Sequence, residues 1–350
     1  MGINDGGAEV PDLPARQAAY LDFLGEPTDS ARRRRTGLYR ALTFGVGPQA
    51  VKVLMLDTRS FRAPHAIPSV GAAARGVPLV GKLTPLAAAF SRWAAGALGW
   101  TAKHRGDVLG AAQWAWLEAQ LKRGSEQETT NSAPAFTVVV SSVQVLTTAP
   151  VFESWGHFPV AKARLLALLR RYKPRGLLLL SGDVHFAELA TYPVKADPVR
   201  DASVAGEDEG VGSGVVGCGS VAEVTSSGLT HTCLSPASNF LTRLTCTPVL
   251  THYTSHRPHP GDFYAAAPNF GTLTIDWAAS GGPLLTAAVR PTDRRDLGGQ
   301  PALVLSRRSC LLDLPPIEPP HGNAYPQADE SGAALRACTA PSESQGESRD

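Results

Sequence analysis

Four consecutive leucines at positions 177–180, bounded by glycines, constrain the fold of this chain more than any other stretch. A short apolar run between turn-forming residues is typical of a strand that is buried on both faces. Strands of that kind belong to parallel sheets whose two faces are covered. The run therefore predicts the centre of an α/β sheet.

An acid and an imidazole, Asp183 and His185, follow this predicted strand directly. In open α/β sheets, ligands bind in the crevice outside the carboxyl ends of the strands. Carboxylate oxygen and neutral imidazole nitrogen are both common metal ligands. The pair is therefore a candidate for binding one or two metal ions. By itself, such a pair more often marks a turn aspartate and a packed core histidine.

The periodicity of residues 51–183 predicts alternating strands and helices. Strands are expected at Val51–Asp57 and Ala135–Ser142, and helices at Gly110–Lys122 and from Pro159 to Tyr172. This order is typical of a parallel sheet with covering helices. Short antiparallel strands are expected further on, at residues 220–225, 272–277, 284–290 and 302–307. We predict one domain over residues 1–313 and, from its Pro, Ser, Glu and Gly content, a disordered tail over residues 314–350.

Composition excludes some classes of protein and partner. Of 350 residues, 43% are hydrophobic, and a formal net charge of +2 gives no global reason to expect a nucleic acid or an anionic membrane as partner. Five cysteines without a C-x-x-C pair argue against a zinc ribbon and a disulfide framework, although one local disulfide among Cys218, Cys233 and Cys246 stays open. Neither a signal peptide nor a transmembrane segment is predicted. Compartment and oligomeric state are not predicted.

Seven short segments, taken together and in order, resemble the PhoD-like alkaline phosphatases, a branch of the calcineurin-like metallophosphoesterases. They are GINDGG at residues 2–7, LDTR at 56–59, LG with QWAWL at 109–117, ESW with FP at 153–159, SGDVH at 181–185, TSSGLTH at 225–231 and NFGTL at 269–273.

The resemblance implies an αββα sandwich of the metallophosphoesterase type and a phosphoric ester hydrolase acting on a phosphate-ester substrate. It implies that Asp183 and His185 each ligate a metal ion, which in this family is iron, calcium, zinc or manganese. The family motifs that precede GINDGG, including an Asp-Asp-His-Asp run, have no counterpart in this sequence. We therefore expect a domain that lacks its amino-terminal portion, binds metal weakly and turns over little or no substrate. No catalytic residue is assigned. The alternative is a non-catalytic pseudo-phosphatase or partner-binding module on the same fold.

Four further residues are candidates for metal support or substrate contact. The resemblance places Glu153, Trp155 and His157 in a loop at the rim of the cleft. Glu153 is either a ligand or second-layer acceptor, or an acid that favours the entry of the next helix. His157 could meet phosphate or metal, but a loop histidine more often faces solvent. Arg59 could grip a phosphate with its two-pronged guanidinium, or be held in a buried ion pair with Asp57, which we favour.

Overall fold

The computed structural model describes residues 5–67, 78–129, 132–192, 213–235, 243–244, 246, 250, 257, 262–292 and 301–314. Residues up to Leu314 belong to one compact unit. The predicted tail lies, apart from Leu314, outside the described residues.

The described residues form two sheets and five α-helices. The strands are β1 (Arg40–Phe44), β2 (Val51–Met55), β3 (Phe136–Val140), β4 (Leu178–Ser181), β5 (Ala187–Tyr192), β6 (Ser213–Val216), β7 (Val221–Ser226), β8 (Phe263–Tyr264), β9 (Asn269–Asp276), β10 (Leu284–Pro291) and β11 (Leu303–Arg308). The helices are α1 (Leu13–Phe23), α2 (Pro78–Ala97), α3 (Trp100–Lys103), α4 (Gly110–Thr129) and α5 (Pro159–Tyr172). None of these helices is both long and apolar enough to cross a membrane.

The larger sheet has the strand order β1-β2-β3-β4-β7-β5-β8. Its four neighbouring strands β2, β3, β4 and β7 are parallel, while β1, β5 and β8 pair in the antiparallel sense. The leucine run forms β4 in the middle of this parallel group, as its sequence predicts. Gly176 sets the entry to β4 with a φ of +52°, and a Cβ there would lie 2.6 Å from the carbonyl oxygen of Ala135.

The smaller sheet, in the order β6-β11-β10-β9, packs face to face against the larger one. The shared core joins side chains of both sheets, such as Phe136 and Val224 from the first and Leu285 and Leu305 from the second. The opposite face of the larger sheet is covered by α4 and α5, whose buried side chains include Trp114 and Leu165. The described residues therefore show helix, sheet and sheet layers, which are consistent with the predicted αββα sandwich, and the predicted α/β fold class is confirmed.

Some elements differ from the sequence prediction. Strands β1 and β5 are not among the strands predicted from the sequence. Neither is Ser213–Val216, which forms a strand that pairs with β11. This short segment joins the sheet because β11 offers it an open edge, which local composition does not reveal.

Two disulfides tie the smaller sheet and a loop in place. Cys218, in the turn between β6 and β7, bonds to Cys310 after β11, and Cys233 bonds to Cys246. The second bridge is a local one of the kind that the sequence left open. The first spans 92 residues and was not predicted. A cross-link over a long loop restricts the unfolded chain more than one over a short loop.

We expect the paired change Cys218→Ser and Cys310→Ser to lower the free energy of unfolding by about 2–4 kcal/mol. Urea denaturation of the oxidised protein measures this. The paired change Cys233→Ser and Cys246→Ser opens a loop of only 13 residues, so it should lower the free energy of unfolding by a smaller amount. Cys338→Ser, which belongs to neither bridge, is the control. Equal stability of the Cys218 pair variant and the oxidised parent would contradict the expectation.

Candidate functional site

The turn after β4 has an unusual backbone. Asp183 and His185 both adopt left-handed conformations, with φ values of 79° and 58°. Such conformations are uncommon for residues other than glycine, and where they occur together they often mark functional turns. The two flank Val184, which is buried. The backbone therefore presents the two candidate ligands at the carboxyl end of β4.

Asp183 lies next to a guanidinium group. Its Oδ1 is 3.3 Å from Nη2 of Arg59, and its side chain is 38% exposed. Partial burial and the nearby charge of Glu153 raise the pKa of Asp183, and the positive charge of Arg59 opposes that rise. A ligand can therefore reach this carboxylate from its exposed side, and His185 is exposed as well.

Glu153 is the buried centre of the site. Its Oε1 accepts a hydrogen bond from Nη1 of Arg59 at 2.6 Å and lies 3.3 Å from Nε of Arg62 and 3.7 Å from Nε2 of His65. Burial pushes its pKa upward, but His65, Arg59 and Arg62 together outweigh burial and hold the pKa below its ordinary value. Glu153 is therefore ionised at neutral pH.

A third carboxylate completes the cluster. Asp5 forms an ion pair with Arg92, whose guanidinium also donates to the carbonyl oxygen of Val151 at 2.7 and 2.9 Å. Burial raises the pKa of Asp5 to about 6, although the charge of Arg92 opposes it. The cluster thus matches three acids with three arginines. We call these six residues the arginine-acid cluster: Asp5, Arg59, Arg62, Arg92, Glu153 and Asp183.

His185 faces a different partner from Asp183. Its ring lies 4.1 Å, centroid to centroid, from the ring of His231, and its backbone nitrogen donates to Oγ of Ser227. Burial, followed by the nearby His231, lowers the pKa of His185. The imidazole is therefore neutral at pH 7, which is the form that can bind a metal ion.

The remaining candidates in the 153–157 loop have structural contacts. Trp155 is fully buried, donates from Nε1 to Oγ of Ser141 at 3.1 Å and packs edge to face on Trp114. His157 bonds to the carbonyl oxygen of Phe152 at 2.8 Å, and burial lowers its pKa to about 3. The expectation that His157 faces solvent is wrong, because the loop folds it inward.

Arg59 is placed differently from our favoured interpretation. Asp57 does not pair with the guanidinium of Arg59. Its carboxylate accepts hydrogen bonds from the backbone nitrogens of Leu38, Arg59 and Ser60. The Arg59 guanidinium instead spans Glu153 and Asp183. Sequence reasoning also missed Asp5, Arg62, His65, Arg92 and His231 as parts of the site, since only folding brings them together.

The fold and this strand-end cluster define an α/β sandwich with an acid and imidazole pair at the carboxyl edge of its parallel strands. The family model described as PhoD-like phosphatase matches residues 8–238. The chain therefore belongs to the PhoD-like phosphatase family, whose members in general depend on metal ions.

Solved structures and curated proteins add little to this assignment. The solved structure titled "Structure of PhoD" is 15% identical over 83% of this chain and 51% of that chain, with a TM-score of 0.43. The structure titled "GAP50 the anchor in the inner membrane complex of Plasmodium" is 10% identical over 80% and 56%, with a TM-score of 0.34. The chain thus spans about half the length of these solved chains. No curated protein matches it.

The described residues do not fit a complete two-ion centre. Among them, no group of three or more His, Cys, Asp or Glu side chains is arranged to hold a metal ion. Such a centre needs about three protein ligands for each ion. Asp183 is engaged by Arg59. Oε1 of Glu153 contacts the guanidinium groups of Arg59 and Arg62, while its buried Oε2 has no hydrogen-bond partner among the described residues. A cation there would meet positive charge.

We expect Glu153→Gln to lower the free energy of unfolding at pH 7 by about 3–5 kcal/mol, because it leaves buried guanidinium charge unpaired. A carboxylate with a depressed pKa stabilises the fold above its unfolded pKa, and this contribution is lost as pH falls through the folded pKa. The difference between parent and variant should therefore shrink below about pH 4.

Urea denaturation across this pH range measures both effects. Glu126→Gln, in an exposed residue of α4 whose carboxylate lies 3.8 Å from Nζ of the exposed Lys122, is the matched control. A variant as stable as the parent at pH 7 would contradict the role given to Glu153.

Proposed function

We propose that the chain carries the reaction of its family, metal-dependent hydrolysis of a phosphoric ester, and that Asp183 and His185 are the metal ligands it contributes. The observation that carries the proposal is the turn after β4, which holds both residues in left-handed conformations at the carboxyl end of the parallel strands. This is the edge at which α/β sheets bind their ligands. The match to the family model over residues 8–238 supports the reaction class.

Arg59 gives the site a means of binding the ester. Its Nη1 is held by buried Glu153 at 2.6 Å, whereas its Nη2 makes the longer contact of 3.3 Å with the partly exposed Asp183. The short contact with Glu153 fixes the guanidinium. The longer contact with Asp183 allows Nη2 to donate to a different acceptor. A phosphoryl oxygen is a good acceptor for Nη2, because guanidinium donors bind phosphate in charge-assisted hydrogen bonds.

The same arginine explains why turnover should be low. A metal ion at Asp183 has to compete with Arg59 for the carboxylate and then lie beside a positive charge. At a separation of about 4 Å this repulsion amounts to several kcal/mol in a partly buried site. We therefore propose weak metal binding and slow hydrolysis in this polypeptide.

The proposal is tested by hydrolysis of a chromogenic phosphate ester with iron, calcium, zinc or manganese added in turn. We expect slow, metal-stimulated turnover that falls at least tenfold in Asp183→Asn and in His185→Ala. Asp29→Asn, at an exposed position, is the matched control and should leave the rate unchanged. A folded parent without metal-stimulated turnover would remove the hydrolase proposal for this polypeptide.

Arg59→Gln tests the competition directly. If the guanidinium excludes the ion, its removal should tighten manganese binding about tenfold, measured by isothermal titration. Unchanged or weaker manganese binding in this variant would contradict the argument. A thermal unfolding curve shows whether the variant stays folded, because Glu153 retains Arg62 and His65 as neighbours.

One observation favours the alternative of a non-catalytic pseudo-phosphatase on the same fold. The three acids of the arginine-acid cluster are each paired with an arginine, so their negative charge is balanced without an ion. This alternative predicts that a phosphate ester binds in the presence of a chelator and is not hydrolysed with any of the four metals. The hydrolase proposal predicts loss of turnover with the chelator.

A further inference from the structure

Helix α2 exposes large apolar side chains in the part whose side chains the structure describes, residues 87–97. Its buried positions in the described part are Ala88, Arg92 and Ala95, which lie three or four residues apart on one face. The charged residue on that face points inward, to Asp5 and the carbonyl oxygen of Val151. Phe90 and Trp93 lie on the outward face, 66% and 43% exposed. A surface helix normally presents its polar residues to water.

Two more large apolar side chains are exposed just beyond the end of α2. Leu98 and Trp100 are 59% and 51% exposed, and the rings of Phe90 and Trp93 pack together at 5.7 Å. We call Phe90, Trp93, Leu98 and Trp100 the aromatic patch. Single exposed apolar residues are common, but a cluster of four large ones marks a surface that contacts something else.

The exposed charged residues that follow the aromatic patch most closely along the chain are basic. Between Asp57 and Asp107 the sequence has no acidic residue and contains seven lysines and arginines. Of these, Lys103 and Arg105 are exposed next to the patch. The next acid along the chain, Asp107, is less exposed, and its carboxylate accepts hydrogen bonds from the backbones of Val108 and Gly110 and from the Trp114 ring. The patch is therefore apolar with a cationic border, although the whole chain is nearly neutral.

We propose that the aromatic patch binds the surface of an anionic lipid bilayer, with α2 lying along the interface. Tryptophan and phenylalanine rings partition to the boundary between headgroups and acyl chains, and nearby lysine and arginine are attracted to anionic headgroups. A second copy of this chain would bring the like charges of Lys103 and Arg105 close to each other, whereas an anionic bilayer complements them. This inference does not depend on the proposed hydrolysis.

Co-sedimentation with vesicles tests the proposal on the full chain. We expect binding to vesicles of phosphatidylglycerol and phosphatidylcholine in equal amounts, and at least about tenfold weaker binding to phosphatidylcholine alone, with strong dependence on salt. The triple change Phe90→Ser, Trp93→Ser and Trp100→Ser should weaken binding to the anionic vesicles about tenfold or more. Lys103→Gln with Arg105→Gln should weaken it about tenfold.

The matched control removes apolar surface elsewhere. Phe23→Ser with Leu24→Ser changes two residues at the end of α1 that are 84% and 49% exposed, and it should leave vesicle binding unchanged. Thermal unfolding shows whether each variant is folded. If the triple aromatic variant does not fold, the Lys103→Gln and Arg105→Gln variant still tests the proposal. Absence of binding to anionic vesicles, equal binding to both kinds of vesicle, or loss of binding in the control would overturn the proposal. So would self-association in sedimentation that the triple variant abolishes.

Discussion

The fork of Arg59 between Glu153 and Asp183 is the contact on which the arrangement of the site depends. It joins three separate segments: the loop after β2, the loop that leads into α5 and the turn after β4. An ionised carboxylate as deeply buried as Glu153 is costly unless opposite charges lie beside it. Arg59 and Arg62 supply those charges, and in doing so they fix the positions of the segments that carry them.

This arrangement gives the carboxyl edge of the sheet a particular electrostatic character. Asp183 and His185 come from one turn, but their closest neighbours differ in kind: a guanidinium for the acid and a second imidazole for the histidine. Burial and the neighbouring His231 lower the pKa of His185, so its imidazole is neutral at pH 7, whereas the Asp183 carboxylate is paired with a guanidinium. The surroundings of Asp183 and His185 thus differ in how favourably they bind a cation, and those of His185 are the more favourable. A phosphate group, being anionic, prefers the surroundings of Arg59.

The elements that position this edge could be predicted from the sequence, because their signals are local. A run of four leucines and a helical stripe through Trp114, Leu117 and Leu121 each report burial within a few residues of chain. The partners within the site could not be predicted in this way. Asp5 and Arg92 are 87 residues apart, and Arg59 and Glu153 are 94 apart. Their charges have no periodicity, so only the three-dimensional path of the chain reveals that they pair.

The two sides of α2 show how strongly the inner contact constrains the outer surface. Arg92 has to face inward, since it neutralises Asp5 and bonds to the backbone at Val151. In a helix, residues near positions i−2 and i+1 lie well away from the face of residue i, so Phe90 and Trp93 are directed outward once Arg92 is fixed. Rotating the helix to bury its aromatic rings would move Arg92 away from Asp5 and leave that buried carboxylate without its ion-pair partner. The outward direction of Phe90 and Trp93 is therefore a consequence of the charge pairing between Arg92 and Asp5.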